Sequence, residues 1–214
     1  MKARLPVAAV LCFMGTALMA QRPAAFKPTA QGFFFLPVTL GNHVFDDLAD
    51  VLGQVDGAFQ VPIYKGLGVG LGINASFYEL NEHGLATEIT DGGTTRMLYY
   101  GKLFWKHTTG KQTFMEINAK LGQSTWAWDC STCGSNERQT QFHWGANAAW
   151  FIHATDNLAF GLSLGYQADE AMFNPGVIGL QRFPGRTDMG APYRFLTVGL
   201  GFSTGFEKSK EGVW

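Results

Sequence analysis

The segment LAFGLSLGYQ, which starts at Leu158, alternates two kinds of residue with period two. Leu158, Phe160, Leu162, Leu164 and Tyr166 fall on one side, and Ala159, Gly161, Ser163, Gly165 and Gln167 on the other. Successive side chains of a β-strand point to opposite faces, so this is a strand with one apolar face and one small, polar face. The pattern recurs. Leu196, Val198, Leu200 and Phe202 oppose Thr197, Gly199, Gly201 and Ser203; Phe142, Trp144, Ala146, Ala148, Trp150 and Ile152 alternate with Gln141, His143, Gly145, Asn147, Ala149 and Phe151. Leu67, Val69, Leu71, Ile73 and Phe77 do the same with Gly68, Gly70, Gly72, Asn74 and Ser76. Shorter or weaker versions occupy 31–41, 58–63, 94–107 and 111–125, which makes eight strands.

Three connections are tight: Tyr64-Lys65-Gly66, Thr108-Thr109-Gly110 and Thr155-Asp156-Asn157. A three-residue hairpin loop calls for a left-handed residue at its third position, and Gly or Asn supplies it. Such turns set Ile63 opposite Leu67, Leu103 opposite Met115 and Ala154 opposite Leu158, which keeps apolar residues paired on one face. Longer segments, 42–57, 81–93, 127–138 and 169–192, alternate with the tight turns. Short turns at one end and long loops at the other describe an up-and-down barrel, in a membrane or free in water. A soluble, lipocalin-like ligand-binding barrel turns its apolar face inward and shows charge to solvent. Here the other face is mostly Gly, Ala, Ser, Asn and Gln, which suits the crowded interior of a small barrel. The expected fold is therefore all-β, an eight-stranded antiparallel up-and-down transmembrane β-barrel, with the soluble barrel as the alternative. Trp105, Trp150 and Phe160 beside the short turns, and Phe142, Trp144 and Tyr166 toward the long loops, fit two interfacial girdles.

Composition narrows the function classes. The 214 residues carry a formal charge of −1, which leaves no electrostatic footprint for nucleic acid. The N-terminus, MKARLPVAAVLCFMGTALMAQ, joins Lys2 and Arg4 to an apolar run that ends in small residues. It reads as a signal peptide over 1–20, cleaved after Ala20, since the run is short of the roughly 20 residues a spanning helix needs. Cys12 leaves with it, so two cysteines remain in the mature chain. Residues 21–30, with two prolines, read as an extended leader. The barrel is assigned to 31–206.

In this architecture and alternation the chain resembles the small eight-stranded outer-membrane barrels of Gram-negative bacteria, the OmpA/OmpX-like group. The last strand, YRFLTVGLGFSTGF, is similar to the C-terminal signal read by barrel-assembly machinery, with Thr197, Gly199, Phe202 and Phe206 in comparable places. It differs in having Thr204 at a hydrophobic position and in continuing to Trp214. The resemblance implies the outer membrane, contact with its lipids, short turns and a 207–214 tail in the periplasm, and long loops outside. It implies no single activity, and the sequence contains no cofactor fingerprint.

The face turned to the lumen carries Arg96, Lys102, Lys106, Glu116, Lys120, His143, Asn147 and Gln167. The proposed turns put Lys102 directly opposite Glu116 and His143 opposite Asp169, as two ion pairs. Charges in so narrow a lumen need partners, so an interior network that fills the barrel is expected over a conducting path. The excess of lysine would make any narrow channel anion-selective. An enzymatic alternative rests on WFIHATDNL, which is similar to the His-x-Ser-Asn segment of barrel lipid A deacylases through His153, Thr155 and Asn157. Thr155 stands in place of the serine, Asp156 intervenes, and no orienting acid is identified, so no catalytic residue is assigned. The turn reading, with local hydrogen bonds, is preferred.

The long loops complete the expectations. In NHVFDDLADVLG, Val44, Phe45, Leu48, Val51 and Leu52 follow a helical stripe, with Asn42 as cap and Gly53 as stop, which predicts a short helix over the barrel mouth. Asp46, Asp47, Asp50 and Asp56 lack calcium-loop spacing, and no metal site is assigned. The last loop exposes Phe173, Val177, Ile178, Leu180 and Phe183 beside Arg182 and Arg186, which points to contact with an unidentified surface ligand. The third loop holds Cys130-x-x-Cys133. A redox dithiol opens a helix in a βαβ unit and a zinc site needs further ligands; on the outer side thiols oxidise, so these two are expected to form a small disulfide.

Overall fold

The structure, a computed structural model, describes residues 27–85, 88–131, 133, 138–187 and 190–206. The expected signal peptide, most of the leader and the 207–214 tail lie outside the described residues. Eight strands run in chain order around a closed antiparallel barrel: β1 Thr29–Thr39, β2 Ala49–Tyr64, β3 Leu67–Leu80, β4 Gly92–Thr108, β5 Thr113–Cys130, β6 Arg138–His153, β7 Leu158–Phe173 and β8 Ala191–Gly205. β1 closes the ring by pairing with β8 from Thr29↔Gly205 to Thr39↔Phe195. Residues 29 and 30, assigned to the leader, belong to β1.

Period two decides the faces. Leu71, Leu103, Leu162 and Leu200 stand on the outside, with Leu71 73% exposed, while Asn74, Arg96, Glu116 and His143 are buried within. An exterior of bare Leu, Val, Ile and Phe would be costly in water and is what hydrocarbon accepts. Among the described residues no helix is long and apolar enough to cross a membrane; a closed barrel of strands is the other architecture that can span one. Trp150 and Phe160 at one end and Phe142 and Trp144 at the other are each exposed by 44% or more, and Trp144 leans on Tyr166 with ring centroids 5.2 Å apart.

The strands outrun the periodic segments, and the long connections shrink. β2 starts at Ala49, not Ala58. Gln54, Asp56, Ala58 and Gln60 face inward in continuous alternation, which a bulge between Val51 and Gly53 interrupts on the N-terminal side. Gly53 takes φ 145° there, so it bends a strand and does not end a helix. The first-loop helix, α1, is correspondingly short, His43–Leu48, with Asn42 Oδ1 accepting from Phe45 N at 3.0 Å. A second short helix, α2, spans Glu82–Leu85, and a 3-10 turn spans Pro175–Ile178.

Two of the three tight turns differ from their expected register. The β2–β3 tip is the pair Lys65-Gly66, with φ of 43° and 91°, because a bulge at Ile63 brings Tyr64 opposite Leu67. The β4–β5 turn is wider than Thr108-Thr109-Gly110: Thr108 pairs with Phe114, and Leu103 stands opposite Ala119, not Met115. The register slides by an even number, so every residue keeps its face. The Thr155–Asn157 turn keeps the expected pairing, with Ala154 N donating to Leu158 O at 2.9 Å, though not the expected left-handed third residue, Asn157. Its closure uses the Thr155 hydroxyl, which accepts from Leu158 N at 3.1 Å.

Candidate functional site

The lumen is packed in three charged layers below an aromatic one. Nearest the short turns, Glu116 Oε1 lies 2.6 Å from Lys102 Nζ, while Oε2 accepts from Gln31 Nε2 at 2.8 Å and Gln60 Nε2 at 2.9 Å. Lys102 Nζ also donates to Gln31 Oε1 at 2.7 Å, and Lys106 Nζ stands 3.7 Å from Glu116. Lys102 and Glu116 do not face each other across the ladder: Lys102 is opposite Lys120, and Lys106 is opposite Glu116. The wider turn displaces the register, and Lys102 reaches its carboxylate on the diagonal, which a long side chain allows.

In the middle layer, Asp56 accepts from Lys120 Nζ at 2.8 Å, Tyr100 Oη at 2.7 Å and Asn74 Nδ2 at 3.2 Å. Lys120 Nζ also sits 4.4 Å from the centre of the Tyr100 ring. Asp56 lies in a segment expected to be loop, and the structure makes it strand. Its signal in the sequence is the alternation of Gln54, Asp56, Ala58 and Gln60 against Val55, Gly57, Phe59 and Val61, which runs through it.

The upper layer converges on Asp169. His143 stands directly opposite it on β6, with Nδ1 2.7 Å from Oδ1. Arg96 donates through Nε at 2.7 Å and Nη2 at 2.9 Å, and Trp126 Nε1 donates at 2.9 Å. A carboxylate with four contacts from three partners is held in one rotamer, and it holds their three strands in register in turn. Arg96 Nη1 also reaches Asn74 Oδ1 at 3.4 Å, which links this layer to the one below.

Above Asp169 the mouth is closed by aromatic rings. Phe45, projected inward by α1, is fully buried and meets Tyr78, Trp126, Phe173, Tyr193 and Phe195 with centroids 5.3 to 5.9 Å away. Trp126 stacks on Tyr193 at 4.2 Å. Phe173, Val177, Ile178 and Phe183 are buried in the same cluster, with Leu180 packed against it. The apolar residues expected to form an exposed external patch are therefore the roof of the barrel's own core, and the contact they make lies within the chain. Arg186 bridges to Asp47 of α1 at 2.9 Å, tying the last loop to the helix. Cys130, at the end of β5, is joined to Cys133 with Cα atoms 5.0 Å apart, and both pack on the rim of this cluster.

The residues considered for hydrolysis are not assembled for it. Thr155 Oγ1 accepts from Asn157 N at 3.4 Å and Leu158 N at 3.1 Å, so its lone pairs are directed to its own turn. The His153 ring lies against Phe114 at 5.2 Å. Among the described residues no group of three or more His, Cys, Asp or Glu side chains is placed to hold a metal ion.

Comparison with solved structures places this geometry. The chain is similar to Neisserial surface protein A (NspA), with a TM-score of 0.51, 12% identity, and coverage of 86% of this chain and 98% of that one. It is also similar to the outer membrane protein OprG from Pseudomonas aeruginosa, with a TM-score of 0.51, 11% identity, and coverage of 87% and 98%. No protein-family model and no curated protein sequence matches the chain. The closed ring of strands, the apolar exterior and these likenesses together give the chain the fold of the small eight-stranded outer-membrane β-barrels.

Proposed function

We propose that this protein is a non-enzymatic component of the Gram-negative outer membrane that acts through its long-loop end, as a structural or surface-interaction barrel. The observation that carries the reading is the filled lumen. Three charged layers and the Phe45 cluster fill the bore above the short-turn mouth, and their carboxylates are each held by several donors. A solute would have to break buried ion pairs to pass. Function then belongs to the surfaces, and the external one is built on a rigid base, since α1, the 3-10 turn and the end of β5 all rest on one core. Barrel-assembly machinery and outer-membrane lipids are the partners this reading requires.

The test is electrical. Purified, refolded protein in planar bilayers is expected to show no persistent conductance, in chloride or in larger anions. A stable, anion-selective step would replace this reading with a channel. Lipopolysaccharide from cells expressing His153→Ala or Thr155→Val is expected to carry the same acyl chains as wild type; a difference would restore the hydrolase.

A further inference from the structure

The charges facing the lumen do not cancel. Arg96, Lys102, Lys106 and Lys120 are set against Asp56, Glu116 and Asp169, with His143 counted as neutral. Asp169 serves Arg96 and Asp56 serves Lys120, each pair at 2.8 Å or closer. Glu116 is left with two ammonium groups, and it is close to only one: Lys102 at 2.6 Å, against 3.7 Å for Lys106. Lys106 is thus the surplus cation. Its side chain is 12% exposed, it donates to Thr29 Oγ1 at 3.0 Å, and the rings of Phe104 and Phe114 lie 5.4 and 5.5 Å from Nζ. An ammonium so far removed from water, with half a carboxylate, is expensive to hold and gains from a second anion.

Space for one adjoins it. Lys106 lines a cavity of about 300 Å³ at the short-turn mouth, together with Thr29, Lys27, Lys111, His153 and Ser203. Asp156 is the one carboxylate among the cavity's described lining residues. Pro62, Phe114 and Ala159 give it apolar wall, so a small organic anion fits better than a fully hydrated ion. We propose that this cavity is a binding site for a carboxylate group, which pairs with Lys106 Nζ and leaves Glu116 to Lys102. A carboxylate carries one negative charge, equal to the surplus among the lumen's own groups. The site lies at the opposite end from the external surface and stands or falls independently of the role assigned there.

The full chain in detergent micelles, titrated with sodium acetate against sodium chloride at constant ionic strength, provides the test by amide NMR. Saturable shifts are expected at Thr29, Lys106 and Ser203 with acetate, and not with chloride. Lys106→Gln should weaken the apparent affinity at least tenfold, and Lys65→Gln, a lysine on the neighbouring turn, should leave it within twofold. Thr29→Val, which keeps the barrel's charges, should weaken it severalfold and serves if Lys106→Gln does not fold. Linear, non-saturating shifts, an equal response to chloride, saturation by inorganic phosphate but not acetate, or an unchanged affinity in Lys106→Gln or Thr29→Val would each overturn the proposal.

Discussion

Replacing Asp169 by Asn should be among the most damaging single changes in the barrel. Asp169 receives Arg96 twice, at 2.7 and 2.9 Å, and also Trp126 and His143. Arg96 is fully buried and has no other carboxylate within ion-pair distance among the described residues. Asn keeps the shape and one acceptor but abandons the guanidinium, and removing one partner of a buried pair costs about 3–5 kcal/mol. Adding Arg96→Met removes the stranded charge, lays an apolar stem against Trp126 where the Arg96 Cζ now sits 5.8 Å from the ring, and leaves the new side-chain amide to accept from Trp126. The double variant should recover to within about 1–2 kcal/mol of wild type, a coupling of at least about 2 kcal/mol. Urea titration of protein reversibly folded into lipid vesicles, followed by tryptophan emission and heat-modifiable mobility, gives the three free energies. A cost below about 1 kcal/mol for Asp169→Asn, or a double variant that merely sums the singles, would refute the reasoning.

Further perturbations separate the layers. Gly122→Ala should cost about 1–3 kcal/mol in the same titration, because a Cβ at Gly122 would lie 2.7 Å from Tyr100 Cα. Gly57→Ala, whose Cβ would meet nothing within 4 Å, should stay within about 0.5 kcal/mol of wild type. Phe45→Ala removes a fully buried ring and should cost about 3–5 kcal/mol of local stability, seen as faster amide exchange over α1 and the Pro175–Ile178 turn while β3 to β7 stay protected. Cys130→Ser with Cys133→Ser should lower stability by less than about 3 kcal/mol, since the ring closed between them is far shorter than 15 residues. In the wild type, thiol alkylation of unfolded protein isolated from the envelope should label neither cysteine until a reductant is added.

The barrel is legible in the sequence because its faces are set by parity alone. Any even slip of register leaves Glu116, Lys102 and His143 pointing inward, so the four-residue displacement of β5 against β4 keeps every face and changes the partners across the ladder. Asp56 is hidden for the reverse reason: one bulge at Val51 and Gly53 breaks the alternation locally, so the first half of β2 reads as a helix and a loop. The roof of the mouth is illegible for a third reason. Phe173, Val177 and Phe183 show no period, and their burial depends on meeting Phe45 and Trp128 across the bore, a contact between segments far apart in the chain. Lumen charge can be read from the sequence, but its imbalance is located only once Asp56 takes its place beside Lys120.

The central claim, that the apolar face meets lipid while the ionic face seals the interior, is tested most directly by one substitution on the outside. Leu71 is the third of the five outward apolar residues of β3, Leu67, Val69, Leu71, Ile73 and Phe77, and is 73% exposed. In vesicle-folded protein Leu71→Arg should cost about 2–4 kcal/mol, the penalty for a cation facing the centre of a bilayer. A change within about 0.5 kcal/mol, which is what an exposed site in water would give, would contradict the account.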